Sequence, residues 1–265
     1  MSDLVERRRE GPIVTITLND PERRNGLTPA MIDALESAIA ALDRESGVAC
    51  AILTAAGSAF CAGGDPKRML APGPYSDLSG YELRQHYVTG IQRIAWAFQT
   101  LETPVIAAIN GPAIGAGCDL ACMCDLRIAA PEAEFAMSFV KLGLVPGDGG
   151  AWFLPRVVGL AKAAELMLTG ERIGAEDALR IGLISVIVPG DALLDAARAR
   201  AQAIASNPPH AVRLTKKLLR HSQELDFAGV LDASASYQAI AQRTEDHQEA
   251  VRAFLERRPP VFRGR

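Results

Sequence analysis

Val105-Ile106-Ala107-Ala108-Ile109-Asn110 is an apolar run, and Gly115-Ala116-Gly117-Cys118-Asp119 is the glycine-rich turn that follows it. The run predicts a buried strand, the glycines a strand-to-helix turn, and Asp119 to Cys124 the helix it opens. The pattern occurs a second time upstream, where Val48 to Thr54 is followed by Ala62-Gly63-Gly64-Asp65. A turn of this kind presents backbone N–H groups that have no partner inside the helix. Two such turns side by side aim two donors at one oxygen, which is how an oxyanion is stabilised. One well-placed donor lowers a barrier by about 3–4 kcal/mol. The two turns predict carbonyl chemistry on an α/β fold.

The rest of the chain narrows the class. Its 265 residues can bury a large core, and 49% hydrophobic with 22% charged residues is ordinary for a globular protein. A formal net charge of -3 gives no reason to expect a nucleic acid or an anionic membrane as partner. No apolar run approaches the roughly 20 residues of a spanning helix, and Met1 to Glu10 is charged rather than signal-like, so the expected compartment is the cytoplasm. Five cysteines, an odd number, fit reduced thiols. Cys118, Cys122 and Cys124 lie among Leu, Ala and Met with no histidine nearby, so they read as small core residues and no metal is expected.

Further elements follow from periodicity and punctuation. Gly11 to Leu18 alternates as a strand, and Thr28 caps a helix whose Ile32, Leu35, Ile39 and Leu42 share one face. Pro66 to Gly80 is rich in Pro, Gly and Ser and reads as a binding loop or lid. Leu83 to Leu101 is expected as one helix, Leu126 to Ala129 as a short strand, and Ala161 to Leu168 as a helix ending at Gly170. Ala175 to Ile181 is a further helix and Leu183 to Val188 a strand. From Asp191 strands cease, with helices at Asp191 to Ser206, Ala211 to His221, Phe227 to Arg243 and Thr244 to Glu256, broken at Asn207-Pro208-Pro209.

Read together, Leu18 to Leu27, Phe60 to Asp65, Val105 to Asp125, Gly143 to Gly150, Leu166 to Gly170 and Ala253 to Arg258 resemble the crotonase superfamily, the enoyl-CoA hydratase/isomerase group. The resemblance spans nearly the whole chain and rests on the order and spacing of these segments. It implies an α/β crotonase-type spiral of repeated strand-strand-helix units over residues 1–206. Residues 207–265 would form a C-terminal helical oligomerisation region, building a homotrimer or hexamer. The implied substrate is an acyl-CoA thioester, with no cofactor beyond coenzyme A itself.

Carried over by position, the oxyanion donors are the N–H groups of Ala62 and Ala116. Hydratases of this family hold a water between two glutamates; those positions fall on Asp119 and Phe139 here. Phe139 has no proton to move, so Asp148, in the Pro146-Gly147-Asp148-Gly149-Gly150 turn, is the candidate for the missing carboxylate, or else an ordinary turn residue. The substrate-contacting set implied is Arg24, Gly63, Gly64, Asp65, Gly115, Gly117 and Phe139. Arg23 and Arg24 would lie near the adenosine end of coenzyme A, with Lys216, Arg257 or Phe262 supplied across a subunit contact. The implied activity is hydration of a 2-enoyl-CoA through a thioester enolate. The alternatives are a double-bond isomerase using one aspartate and a non-catalytic acyl-CoA binder; a thioester hydrolase is a more distant one. A dinucleotide-binding reading fails because Leu120 stands where that fingerprint needs Gly or Ala, and G-x-S-x-G is absent.

Overall fold

The computed structural model describes residues 3–70 and 72–265. The larger sheet has the order β1-β2-β3-β4-β6, formed by β1 (Val5–Glu10), β2 (Ile13–Leu18), β3 (Cys50–Ala55), β4 (Val105–Ile109) and β6 (Leu126–Ala129). Its first pair is antiparallel and the others are parallel. The smaller sheet is β5 (Ala113–Ile114), β7 (Glu134–Ala136) and β8 (Arg172–Gly174). A parallel bridge from Cys61 to Ala113 extends it. The chain thus leaves the large sheet, touches the small one and enters helix three times over. The passages are β3–Cys61–α2 (Gly80–Thr89) and α3 (Gln92–Thr100), then β4–β5–α4 (Ala116–Met123), then β6–β7–α5 (Gly150–Val158). This is the strand-strand-helix spiral.

Period-two alternation explains why the central strands are apolar throughout. Val14, Ile16, Ala51, Leu53, Val105, Ala107 and Ile109 join the main core under α1 (Pro29–Arg44), α3 and α4. Ile13, Cys50, Ile52, Ile106, Ala108 and Ile128 point the other way, against Leu193, Ala197 and Ala201 of α8 (Leu193–Ala205). Both faces are covered, as parallel sheets require. Thr28 caps α1 by accepting the Met31 N–H at 3.2 Å, and Ile32, Leu35, Ile39 and Leu42 are buried as expected. α6 (Leu160–Thr169) ends where expected, at Gly170 in the left-handed conformation (φ 59°).

Two expectations are corrected, and two further elements appear that the sequence did not announce. Val5–Glu10 forms an edge strand; it pairs with β2 along its backbone, Val5 packs on the core, and Arg7 and Arg9 reach Glu45 and the Ser46 carbonyl after α1. The helix over 83–101 is two helices, because Gly90 leaves helical geometry (φ -107°, ψ -111°) between α2 and α3. Leu183 to Val188 pairs only through an isolated bridge, Ile187 to Ala129. α5 was unforeseen, since its opening glycines and Pro155 disguise a helix.

After α7 (Ala175–Arg180) and α8, the chain ends in α9 (Pro209–His221), α10 (Phe227–Gln242) and α11 (Glu245–Glu256). α9 is fastened to the strand ends by a buried lysine and a half-buried arginine. Lys216 Nζ donates to the Thr103 carbonyl and to Asp125, both at 2.7 Å, and Arg220 donates to the Gln99 and Leu101 carbonyls. Burial lowers the Lys216 ammonium below its ordinary range, although Asp125 opposes this. The expectation that Lys216 meets coenzyme A is therefore overturned, because its donors serve the core. Lys216→Met should cost about 1–3 kcal/mol in urea unfolding, since the Thr103 carbonyl and Asp125 each lose a buried donor. An unchanged midpoint and slope would count against this fastening.

Candidate active site

The two glycine turns meet. A β-carbon on Gly63 would stand 2.5 Å from the Ile114 carbonyl and 3.2 Å from the Ala116 nitrogen, so only glycine allows the first turn to lie against the start of α4. Gly117 is likewise pressed on the Cys61 carbonyl. Gly63 and Gly115 adopt positive φ (78° and 55°).

The donors differ from those expected. Ala62 N–H is already engaged, donating to the Arg24 carbonyl at 3.0 Å, while Gly63 accepts from Leu27 N–H at 2.9 Å. Residues 61–63 are still paired like a strand, Cys61 with the Pro112–Ile114 segment and Ala62 with Arg24. Only after Gly63 turns does an amide point outward, and that amide belongs to Gly64. Among the described residues nothing accepts from the N–H of Gly64 or of Ala116. Gly64 is exposed, and Ala116 is the first residue of α4, where the helix contributes its positive end. Ala62 is thus corrected to Gly64, while Ala116 keeps its free donor.

The brace for this turn was missed. Asn25, fully buried at φ 55°, accepts from Asp20 N–H and donates to the Ala56 and Ala59 carbonyls at 2.9 and 2.8 Å. An Asn-Gly pair before a helix cap was the available signal. Arg24 contributes its carbonyl to the brace and exposes its side chain; Asp65 accepts from Lys67 N–H at 2.9 Å, capping a short 3-10 turn.

Beside the turns, Asp119 of α4 and Asp148 lie close enough to influence one another's protons, at 0% and 4% exposure. Both Asp119 oxygens and Asp148 Oδ1 lack a donor among the described residues. Two carboxyls that share one buried place resist being charged together, so the pair holds a proton more readily than free aspartates do. Burial is the largest cause pushing both carboxyls above the ordinary aspartate range, and for Asp119 the neighbouring Asp148 charge adds to it. Gly150 N–H, at the start of α5, pulls the other way. A β-carbon on Gly150 would overlap the Asp119 carboxyl, so that glycine makes the room.

The sign of the linkage gives a prediction. Groups with raised folded pKa favour the fold at low pH and lose that contribution as pH rises through the raised values. Asp119→Asn should therefore melt at a higher temperature than the parent at pH 8, with the gap closing toward pH 4. Calorimetry at both pH values checks this; a parent more stable at pH 8 would contradict it.

Phe139 lies over Gly115, its Cζ 3.7 Å from where a β-carbon would stand. All five cysteines are free and buried, and burial pushes the Cys61 thiol up to about 12, so it stays neutral. A cavity of about 490 Å³ lined by Met123, Trp152 and Lys216 lies beyond the end of α4, beside α5 and α9, and includes none of Gly63, Gly64, Ala116, Asp119, Phe139 or Asp148. No helix among the described residues is long and apolar enough to cross a membrane.

Residues 8–265 match the family model described as enoyl-CoA hydratase/isomerase. The chain is 38% identical over 258 residues to 1,2-epoxyphenylacetyl-CoA isomerase of Escherichia coli, covering 97% of each. It is 35% identical over 251 residues to the short-chain-enoyl-CoA hydratase of Clostridium acetobutylicum, covering 94% of each. A crystal structure of enoyl-CoA hydratase from Bacillus anthracis superposes at TM-score 0.91 with 34% identity, over 99% of this chain and 100% of that one. The spiral and its helical C-terminal region are the architecture of the crotonase-fold enzymes. Within that class, the chain belongs to the enoyl-CoA hydratase/isomerase family.

Proposed function

We propose that this enzyme moves a proton along the acyl chain of a coenzyme A thioester, shifting a double bond. The N–H groups of Gly64 and Ala116 bind the thioester oxygen, so negative charge can develop there when the α-carbon loses a proton. The carboxylate of the Asp119–Asp148 pair takes that α-proton from a 3-enoyl-CoA. The partner carboxyl returns a proton at the γ-carbon, giving the 2-enoyl-CoA and leaving the pair singly protonated as before. The observation that carries this reading is that two carboxyls, Asp119 and Asp148, are buried at 0% and 4% exposure without a donor among the described residues on three of their oxygens, while Phe139 offers no acid group to orient a water.

Hydration, the reading favoured from sequence, is the second possibility, supported by relatives named as hydratases. The two separate in heavy-oxygen water with 2-enoyl-CoA and 3-enoyl-CoA, followed by mass spectrometry. Isomerisation gives a migrated double bond without label, whereas labelled 3-hydroxyacyl-CoA overturns it in favour of hydration. The exposed Arg24 remains our candidate for the phosphates of coenzyme A. Assembly as a trimer or hexamer belongs to the same reading: α10 buries none of its residues, and its Phe227 is 79% exposed. Light scattering should return three or six chain masses; a monomer at micromolar concentration would refute it.

A further inference from the structure

We propose that the acyl end of this site is shaped for an acyl group bearing an aromatic ring, and that Met69, Tyr87 and Phe139 select it. The inference rests on the acyl-CoA reading above and deepens it. Three glycines frame the reacting atoms in that reading, and each has one soft or aromatic side chain laid against it. Met69 Cε lies 3.3 Å from where a Gly64 β-carbon would stand, Phe139 Cζ 3.7 Å from that of Gly115, and Tyr87 Cε1 3.3 Å from that of Gly147. A thioether, a phenyl and a phenol are thus supplied by three separate segments, each laid against a glycine in or next to a residue of the proposed site: the loop after Gly64, the turn Ser138–Leu142 and helix α2.

The aromatic surface continues outward from Tyr87. Its ring centroid is 6.5 Å from that of His86, nearly edge-on, and His86 is 5.0 Å from Tyr75. Met69 is 42% exposed, and Tyr87 and Phe139 are half-buried, so each retains surface that a ligand can cover. A linear alkyl chain would meet these walls only as apolar area. A flat ring also gains offset or edge-to-face contact with Phe139 and Tyr87 and a sulfur–ring contact with Met69, each about two- to tenfold in affinity. Phe139 acts twice, because a carboxylate at that position would have set a charge against the ring.

The test is calorimetric binding of phenylacetyl-CoA and octanoyl-CoA, whose acyl groups have the same number of carbons and carry no aliphatic double bond to move. The wild-type enzyme should bind phenylacetyl-CoA at least about tenfold more tightly. That ratio should fall toward one in Tyr87→Leu and Phe139→Leu, and partly in Met69→Ala, whose exposed site leaves the fold intact. Equal affinities in the wild type, or a ratio preserved in all three variants, would overturn the proposal. Because binding needs no proton transfer, the ratio remains readable if the isomerase reading fails. Equal affinities with isomerisation intact would remove the aryl preference alone.

Discussion

Asp119→Asn should lower kcat for double-bond migration by about 10²–10⁴-fold, the usual worth of a positioned acid–base group. The affinity for acyl-CoA should stay within a few-fold. Asparagine keeps the shape of the side chain and fits the space that Gly150 leaves, but it can neither accept nor hold the pair's proton. Its only oxygen is an amide carbonyl, too weak a base to take an α-proton. Asp148→Asn should fall by a similar factor, and the double variant should be little worse than either single one, because the two carboxyls act as a unit. Single-turnover rates and equilibrium binding, measured on the same preparations, separate chemistry from binding. Turnover retained in Asp119→Asn would remove the pair from the mechanism, and additive losses would show that the two act separately.

The second large effect is expected at a backbone atom. Gly64→Pro deletes the N–H that should hold the thioester oxygen, and kcat should drop about 10²–10³-fold, equivalent to about 3–4 kcal/mol. Gly64→Ala is the matched control. Gly64 is not among the residues with positive φ, and an added β-carbon would meet only the flexible end of Met69, at 3.3 Å. Alanine should therefore retain activity to within a few-fold, while proline should not. Equal losses in the two variants would point to crowding rather than to the missing donor, and equal retention would move the oxyanion elsewhere. The comparison also tests the reassignment from Ala62, whose N–H is committed to the Arg24 carbonyl.

Much of the scaffold is legible along the chain because its causes are local. A threonine cap and a three-to-four-residue repeat specify α1 from within its own residues, and Gly170 ends α6 where only a left-handed residue closes the helix. Leu126–Ala129 was bounded correctly by its β-branched residue and flanks. Local signals misled where tertiary partners decide. Charged Val5–Glu10 becomes a strand because β2 offers an open edge, and Gly150–Val158 becomes a helix despite glycine and proline at unfavourable places.

The sequence alone determined that two glycine turns follow two buried strands, that Asp119 and Asp148 are the carboxyls at hand, and that Phe139 cannot shuttle a proton. Only the tertiary structure decided which amide each turn leaves free and that the two aspartates share a burial site. An amide is free or spent according to what lies beside it, and Ala62 is spent on a carbonyl 38 residues upstream in the chain, that of Arg24. A carboxyl holds or releases its proton according to the water and charge around it, and Asp119 meets its partner only because the spiral brings the start of α5 over the start of α4. Both properties belong to contacts between distant segments, which no run of neighbouring residues encodes.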